Sequence, residues 1–169
     1  FLLTDTAQIW AFGQNENGQL GLGIDDEIVS KPSICTELNG VPIISIACGS
    51  SHSLALSSNG LLFAAGSNKK GQLGLNSLDD QKQFKIIDSM RYVSVVSVVA
   101  CMNYSAAIDE FGALYVWGCK WGSSPHLFTS SDESEKIIDV ALGLDGRIAA
   151  LTAHNKLILS GFYVNDCQV

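Results

Sequence analysis

Ile9-Trp10-Ala11-Phe12-Gly13-Gln14-Asn15-Glu16-Asn17-Gly18-Gln19-Leu20-Gly21-Leu22-Gly23 returns 53 residues later as Leu62-Phe63-Ala64-Ala65-Gly66-Ser67-Asn68-Lys69-Lys70-Gly71-Gln72-Leu73-Gly74-Leu75. In each copy an apolar, aromatic run stops at a glycine, an Asn-bearing polar turn follows, and Gly-Gln-Leu-Gly closes the motif. That order of residues reads as a strand leaving a core and a tight corner re-entering it. Recurrence at a fixed period marks a repeat protein, in which each unit buries its apolar faces against its neighbours.

Outward from the first copy, Leu2-Leu3-Thr4-Asp5-Thr6-Ala7-Gln8-Ile9-Trp10 aligns without a gap to Ala55–Phe63. The chain thus opens in the tail of a unit, with a hairpin expected between strands Phe1–Thr4 and Gln8–Phe12. Ile24–Ser33 is acidic and contains Pro32, so it is expected as exposed loop, with an edge strand over Ile34–Leu38 and a positive-φ turn at Asn39-Gly40. Pro42–Leu56 alternates apolar with small residues and breaks at Gly49. Small side chains of this kind suit a strand crowded against a central axis.

The second half repeats this plan. Val96–Ile108 lies 52 residues after the Ile44 segment, with Tyr104 in the place of His52 and Cys101 in that of Gly49. Gly112–Gly118 matches Gly60–Gly66 at the same spacing, so two separate anchors agree on one period. A degenerate third pass runs through Ile137–Gly143, Ile148–Thr152 and Lys156–Gly161. Neither Gly118–Gly122 nor Gly161–Asn165 continues into Gly-Gln-Leu-Gly. Leu78–Met90 is expected as a loop leading into a strand, and Ser123–Lys136 as a surface loop. The approximate units are 1–43 (partial), 44–95, 96–136 and 137–169.

Trp10-Ala11-Phe12-Gly13-x-Asn15-x-x-Gly18-Gln19-Leu20-Gly21, followed by Ala47-Cys48-Gly49-x-x-His52-Ser53-Leu54-Ala55-Leu56-x-x-x-Gly60, resembles the regulator of chromosome condensation repeat family. The residues themselves indicate a repeating β unit. The resemblance implies an all-β fold, a partial β-propeller of four-stranded antiparallel blades in a family that usually has seven. About three units cannot close such a ring, so completion by missing repeats or by oligomerisation is expected, with apolar edges otherwise left open.

Composition limits the function classes. Net charge is −7 and no Lys/Arg cluster exceeds Lys69-Lys70, so direct nucleic-acid binding is not expected. No apolar run approaches a membrane span, so no membrane partner is expected either. The five cysteines are odd in number and lack any Cys-x-x-Cys pair, which points to free, buried or half-buried thiols and a cytoplasmic or nuclear setting.

Candidate chemistry yields to the repeat. His52 sits among Ser50, Ser51 and Ser53, yet no nucleophile elbow is present and later units replace it, so it reads as a structural histidine hydrogen-bonding within its blade. Gly18-x-x-Gly21-x-Gly23 lacks the Gly-Lys-Ser/Thr ending of a phosphate loop, and Asp25-Asp26-Glu27 behind it would repel phosphate. The histidines and cysteines show no zinc spacing. Catalytic, cofactor and metal residues are accordingly expected to be none.

What remains is recognition of a protein. Acidic loops at Asp25–Glu27, Asp79-Asp80 and Asp132–Glu135 recur at one phase of the repeat and offer a docking face for a basic partner. Trp10 and Trp117 are expected in the core, whereas Trp121 lies beyond a strand end and is expected exposed. The partner-binding candidates are Asp25, Asp26, Glu27, Asp79, Asp80 and Trp121. The leading expectation is a non-catalytic interaction module within a larger protein. The alternative, implied by the resemblance, is guanine nucleotide exchange on a small GTPase of the Ran type.

Overall fold

The computed structural model describes residues 1–6, 8–128 and 135–160, and within them the protein is built from strands and short 3-10 turns. The third acidic loop up to Ser134, the Gly161–Asn165 turn and Cys167 lie outside the described residues. Four antiparallel sheets follow one another along the chain. The first is β1 (Leu2–Leu3), β2 (Ile9–Gln14) and β3 (Ile28–Ile34); the second is β4 (Ile43–Cys48), β5 (His52–Ser57), β6 (Leu62–Gly66) and β7 (Gln81–Ile86). The third comprises β8 (Val95–Cys101), β9 (Tyr104–Asp109), β10 (Leu114–Trp117) and β11 (His126–Leu127). The fourth comprises β12 (Ile137–Leu142), β13 (Ile148–Thr152) and β14 (Leu157–Ser160).

Each sheet is a meander in which sequential strands are neighbours, and β4, β8 and β12 succeed one another from sheet to sheet as the innermost strands of a partial β-propeller. The core lies between the blades rather than inside any one of them. Along β6, Leu62 and Ala64 face the third blade with Trp117, Val98 and Met90, whereas Phe63 and Ala65 face the first with Ile9, Ala11 and Phe84. Strand period two thus places alternate side chains in two separate cores. A third core, with Ile108, Val116, Ile137 and Ile148, joins the last two blades.

The expected β1–β2 hairpin is present, pairing Leu2 with Trp10 and Leu3 with Ile9. The expected Ile34–Leu38 strand is not. The strand is β3, inside the stretch read as acidic loop, and Thr36–Leu38 is a 3-10 turn. Pro32 survives there because β3 is the outermost strand and needs no further donor on its free edge. The same plan recurs in the second blade, where the stretch expected as loop forms β7 and a 3-10 turn over Asp88–Met90. In the Ser123–Lys136 connector, His126 and Leu127 pair with β10.

Candidate protein interface

Asn15 and Asn68 are buried at equivalent points of the two Gly-Gln-Leu-Gly corners, and each folds its corner around one amide. Oδ1 of Asn15 accepts from the Leu20 N–H at 3.1 Å, and that of Asn68 from Leu73 at 3.0 Å. The Nδ2 groups donate across the corner to the carbonyls of Asp26 and Ser77, both at 2.9 Å. Gly18 and Gly71 have φ of 75° and 76°, and Gly21 and Gly74 of 66° and 72°. The two corners therefore share one conformation, which glycine adopts without strain.

The corners clasp adjacent blades. A side chain on Gly21 would stand 2.3 Å from the Phe84 ring of the second blade, and one on Gly71 would stand 2.5 Å from Ser123 Cα of the third. The Gln19 carbonyl accepts from Ser53 Oγ at 2.8 Å, and the Gln72 carbonyl from Ser105 Oγ at 2.8 Å. Trp117 is fully buried and donates from Nε1 to that same Gln72 carbonyl at 2.9 Å. Buried polar groups find partners across the blade interface because no water reaches them there.

His52 takes part in the same seam. Its Nε2 lies 2.8 Å from Ser105 Oγ on the neighbouring blade, so the partner expected within its own blade is supplied by the next one. Burial pushes its imidazole down to about 4, leaving it neutral at physiological pH. Tyr104, at the equivalent position, likewise reaches forward, donating from its hydroxyl to the Asp145 carbonyl at 3.3 Å. Both residues are interblade struts.

Two of the three acidic loops occupy equivalent places, in the β2–β3 and β6–β7 connections at the corner end of the propeller, whereas Glu135 of the third lies in the β11–β12 connection and pairs with His154 of the β13–β14 turn, 3.2 Å away. Their carboxylates have separate duties. Lys82 of the second blade donates to Asp25, and this bond with the accompanying attraction lowers the Asp25 pKa. Asp80 accepts the Asn68 N–H at 2.6 Å and thereby braces its corner. Asp26, Glu27 and Asp79 are exposed. Lys82 is the residue the sequence reading missed, since it lies 57 positions from Asp25.

The tryptophans depart from expectation in two places. Trp10 is half-buried, on the face of β2 turned away from the second blade. Trp121, expected to be exposed, is also half-buried. It packs on the third core with its ring 5.9 Å from His126 and 6.0 Å from Phe128. Among the cysteines, Cys35 is buried, donating to the Leu20 carbonyl at 3.4 Å, and burial pushes its thiol up to about 11. Cys48 and Cys119 are free but exposed, contrary to the expectation of shielded thiols. No helix among the described residues is long and apolar enough to cross a membrane.

The regulator of chromosome condensation (RCC1) repeat describes residues 7–56, and a second form of that repeat describes residues 43–72. The chain is 32% identical over 142 residues to the Mus musculus probable E3 ubiquitin-protein ligase HERC4, a match covering 83% of this chain and 13% of the relative. It is 36% identical over 126 residues to Homo sapiens Protein RCC2, covering 74% of this chain and 24% of that protein. Prp20p from Saccharomyces cerevisiae superposes with a TM-score of 0.79 at 24% identity, over 95% of this chain and 42% of its own. The chain thus spans a minor part of the proteins it matches. It belongs to the regulator of chromosome condensation repeat family.

Proposed function

We propose that this chain is a non-catalytic propeller segment that recognises a protein partner through its corner loops, as part of a larger cytoplasmic or nuclear protein. The observation that carries this reading is the division of labour among its polar groups. Asn15, Asn68, Ser53, Ser105 and His52 are spent on the framework, whereas the carboxylates of Asp26, Glu27 and Asp79, on equivalent loops whose backbones brace the corners, make no hydrogen bond or ion pair among the described residues. Side chains of one sign on preorganised loops steer and orient a partner of the opposite sign. The docking set narrows to these three, because Asp25 and Asp80 are engaged.

Joint charge reversal, Asp26→Lys, Glu27→Lys and Asp79→Lys, is expected to weaken a basic protein partner at least about tenfold, chiefly through slower association. Unchanged partners in quantitative pull-downs would remove the corner face from the reading.

Ring completion belongs to the same proposal. Leu157 and Leu159 stand where Leu114 and Val116 are buried in the preceding blade, yet they are 60% and 72% exposed. A face of this composition is what a further blade would cover. Light scattering in which the chain alone is a stable, well-behaved monomer counts against completion by missing repeats or by other copies. Exchange on a Ran-type GTPase rests on Prp20p, whose structure was described with its binding to Gsp1p and histones, and that likeness extends to the fold. A nucleotide-release assay across small GTPases distinguishes the two readings.

A further inference from the structure

Tyr92 and Phe111 are 96% and 69% exposed, on turns at the end of the propeller opposite the corners. Aromatic side chains normally bury most of their surface, so two of them held in solvent on adjoining turns call for a reason. At the corresponding positions the preceding unit has Gly40 and Asn59.

Both turns are rigid. Around Tyr92, the Arg91 N–H donates to Asp88, Val93 to Met90, and Val95 to Val93, while the Met90 side chain is buried in the core between blades. The Arg91 guanidinium grips Asp88 Oδ1 at 2.6 and 3.1 Å. Around Phe111, Asp109 Oδ1 accepts the N–H groups of Phe111 and Ala113, both at 2.9 Å. The Glu110 N–H donates to the Ser94 carbonyl at 2.9 Å and ties the two turns together. Corresponding bonds, Ser58 to Pro42 and Ala153 to Lys136, tie the same surface in the neighbouring blades, so the aromatic pair stands on a fixed platform.

Glu110 immediately precedes Phe111 and is exposed, with no ion-pair partner among the described residues. Exposed aromatic rings and an unpaired carboxylate carried on two joined turns suit a cation that can stack and pair at once, as a guanidinium does. From the fixed turns, the exposed rings and that carboxylate, we infer that Tyr92, Glu110 and Phe111 form a second recognition site, which takes an arginine- or lysine-bearing segment of a protein partner. The entropy of ordering both turns is already spent, which is the setting in which a few aromatic residues dominate affinity.

This site goes beyond the corner-loop reading and uses the opposite end of the ring, so the two fail independently. The test is a selection of short random peptides on the full-length protein, followed by affinity measurement on variants. Enriched peptides are expected to carry Arg or Lys and to bind at least about tenfold more weakly to Tyr92→Ser and to Glu110→Gln. The same peptides are expected to keep their affinity for the corner variant Asp26→Lys, Glu27→Lys. The exposed positions predict unchanged thermal midpoints for the single variants, so loss of binding is not loss of fold. Absence of enrichment, enrichment of peptides without a basic residue, or binding that survives Tyr92→Ser together with Phe111→Ser overturns the site.

Discussion

The corner of the second blade and that of the third perform one task with different residues. In the second, Asn68 organises Gly71-Gln72-Leu73-Gly74, and the glycines let the backbone approach Ser123 and Trp117 of the next blade. In the third, Lys120 falls where Asn68 stands. The chain turns instead through a 3-10 segment over Cys119–Trp121, and Trp121 lies against the next core. Backbone contact needs glycine; contact through a large side chain releases the backbone from that demand. The Gly-Gln-Leu-Gly motif is thus a solution to close blade packing, and its loss in the third corner is a change of means rather than loss of the blade.

Glycine replacement separates the two corners most sharply. Gly71 and Gly122 have similar φ, 76° and 89°, but a Cβ at Gly71 meets Ser123 backbone at 2.5 Å while Gly122 has nothing within 4 Å. Gly71→Ala is expected to cost about 4 kcal/mol, from strain and displaced backbone, and Gly122→Ala about 2 kcal/mol from strain alone, its ψ of 179° lying in a region that favours glycine. Urea denaturation of the two variants measures the difference, and equal losses would refute backbone clasping.

Acid tests the seam that the second corner serves. The unfolded His52 takes up a proton below its ordinary 6.5, whereas the folded imidazole resists until about 4. Stability is therefore fully present above pH 6.5 and declines as pH falls toward 4, by on the order of 3 kcal/mol in all. His52→Gln is expected to flatten that part of the pH–stability curve; Tyr104→Phe, in the next seam, is expected to leave it unchanged.

Asn68→Ala removes the acceptor for Leu73 and the donor to Ser77, with an expected loss of about 2 kcal/mol. Lys120→Ala, at the matching place in the third corner, is expected to fall within about 0.5 kcal/mol of the parent. The smallest effect is expected at the exposed Asp25–Lys82 pair, where Asp25→Asn should leave the unfolding midpoint unchanged at moderate salt. A clear drop there would make this pair an interblade clasp in its own right.

Local patterns in the chain were enough to locate β4 to β6, β8 to β10 and β12 to β14, because alternation and the closing glycines mark them. The outer strands escaped notice. Ile28–Ile34 contains a proline and mostly exposed residues, and Gln81–Ile86 has only Phe84 fully buried, so neither shows the alternation that a half-buried strand shows. An edge strand owes its conformation to hydrogen bonds from one neighbour, and backbone bonds leave little trace in side-chain order.

By itself the sequence determined the period, the strand-and-corner unit, the shared shape of the two Gly-Gln-Leu-Gly turns and the common phase of the first two acidic loops. All of these follow from neighbours within one unit. Tertiary structure alone decided that His52 meets Ser105, that Asp25 is held by Lys82, that Trp121 turns inward, and that the turns bearing Tyr92 and Phe111 are joined. Those outcomes depend on which blade stands beside which, and groups some fifty residues apart meet only after the sheets have packed.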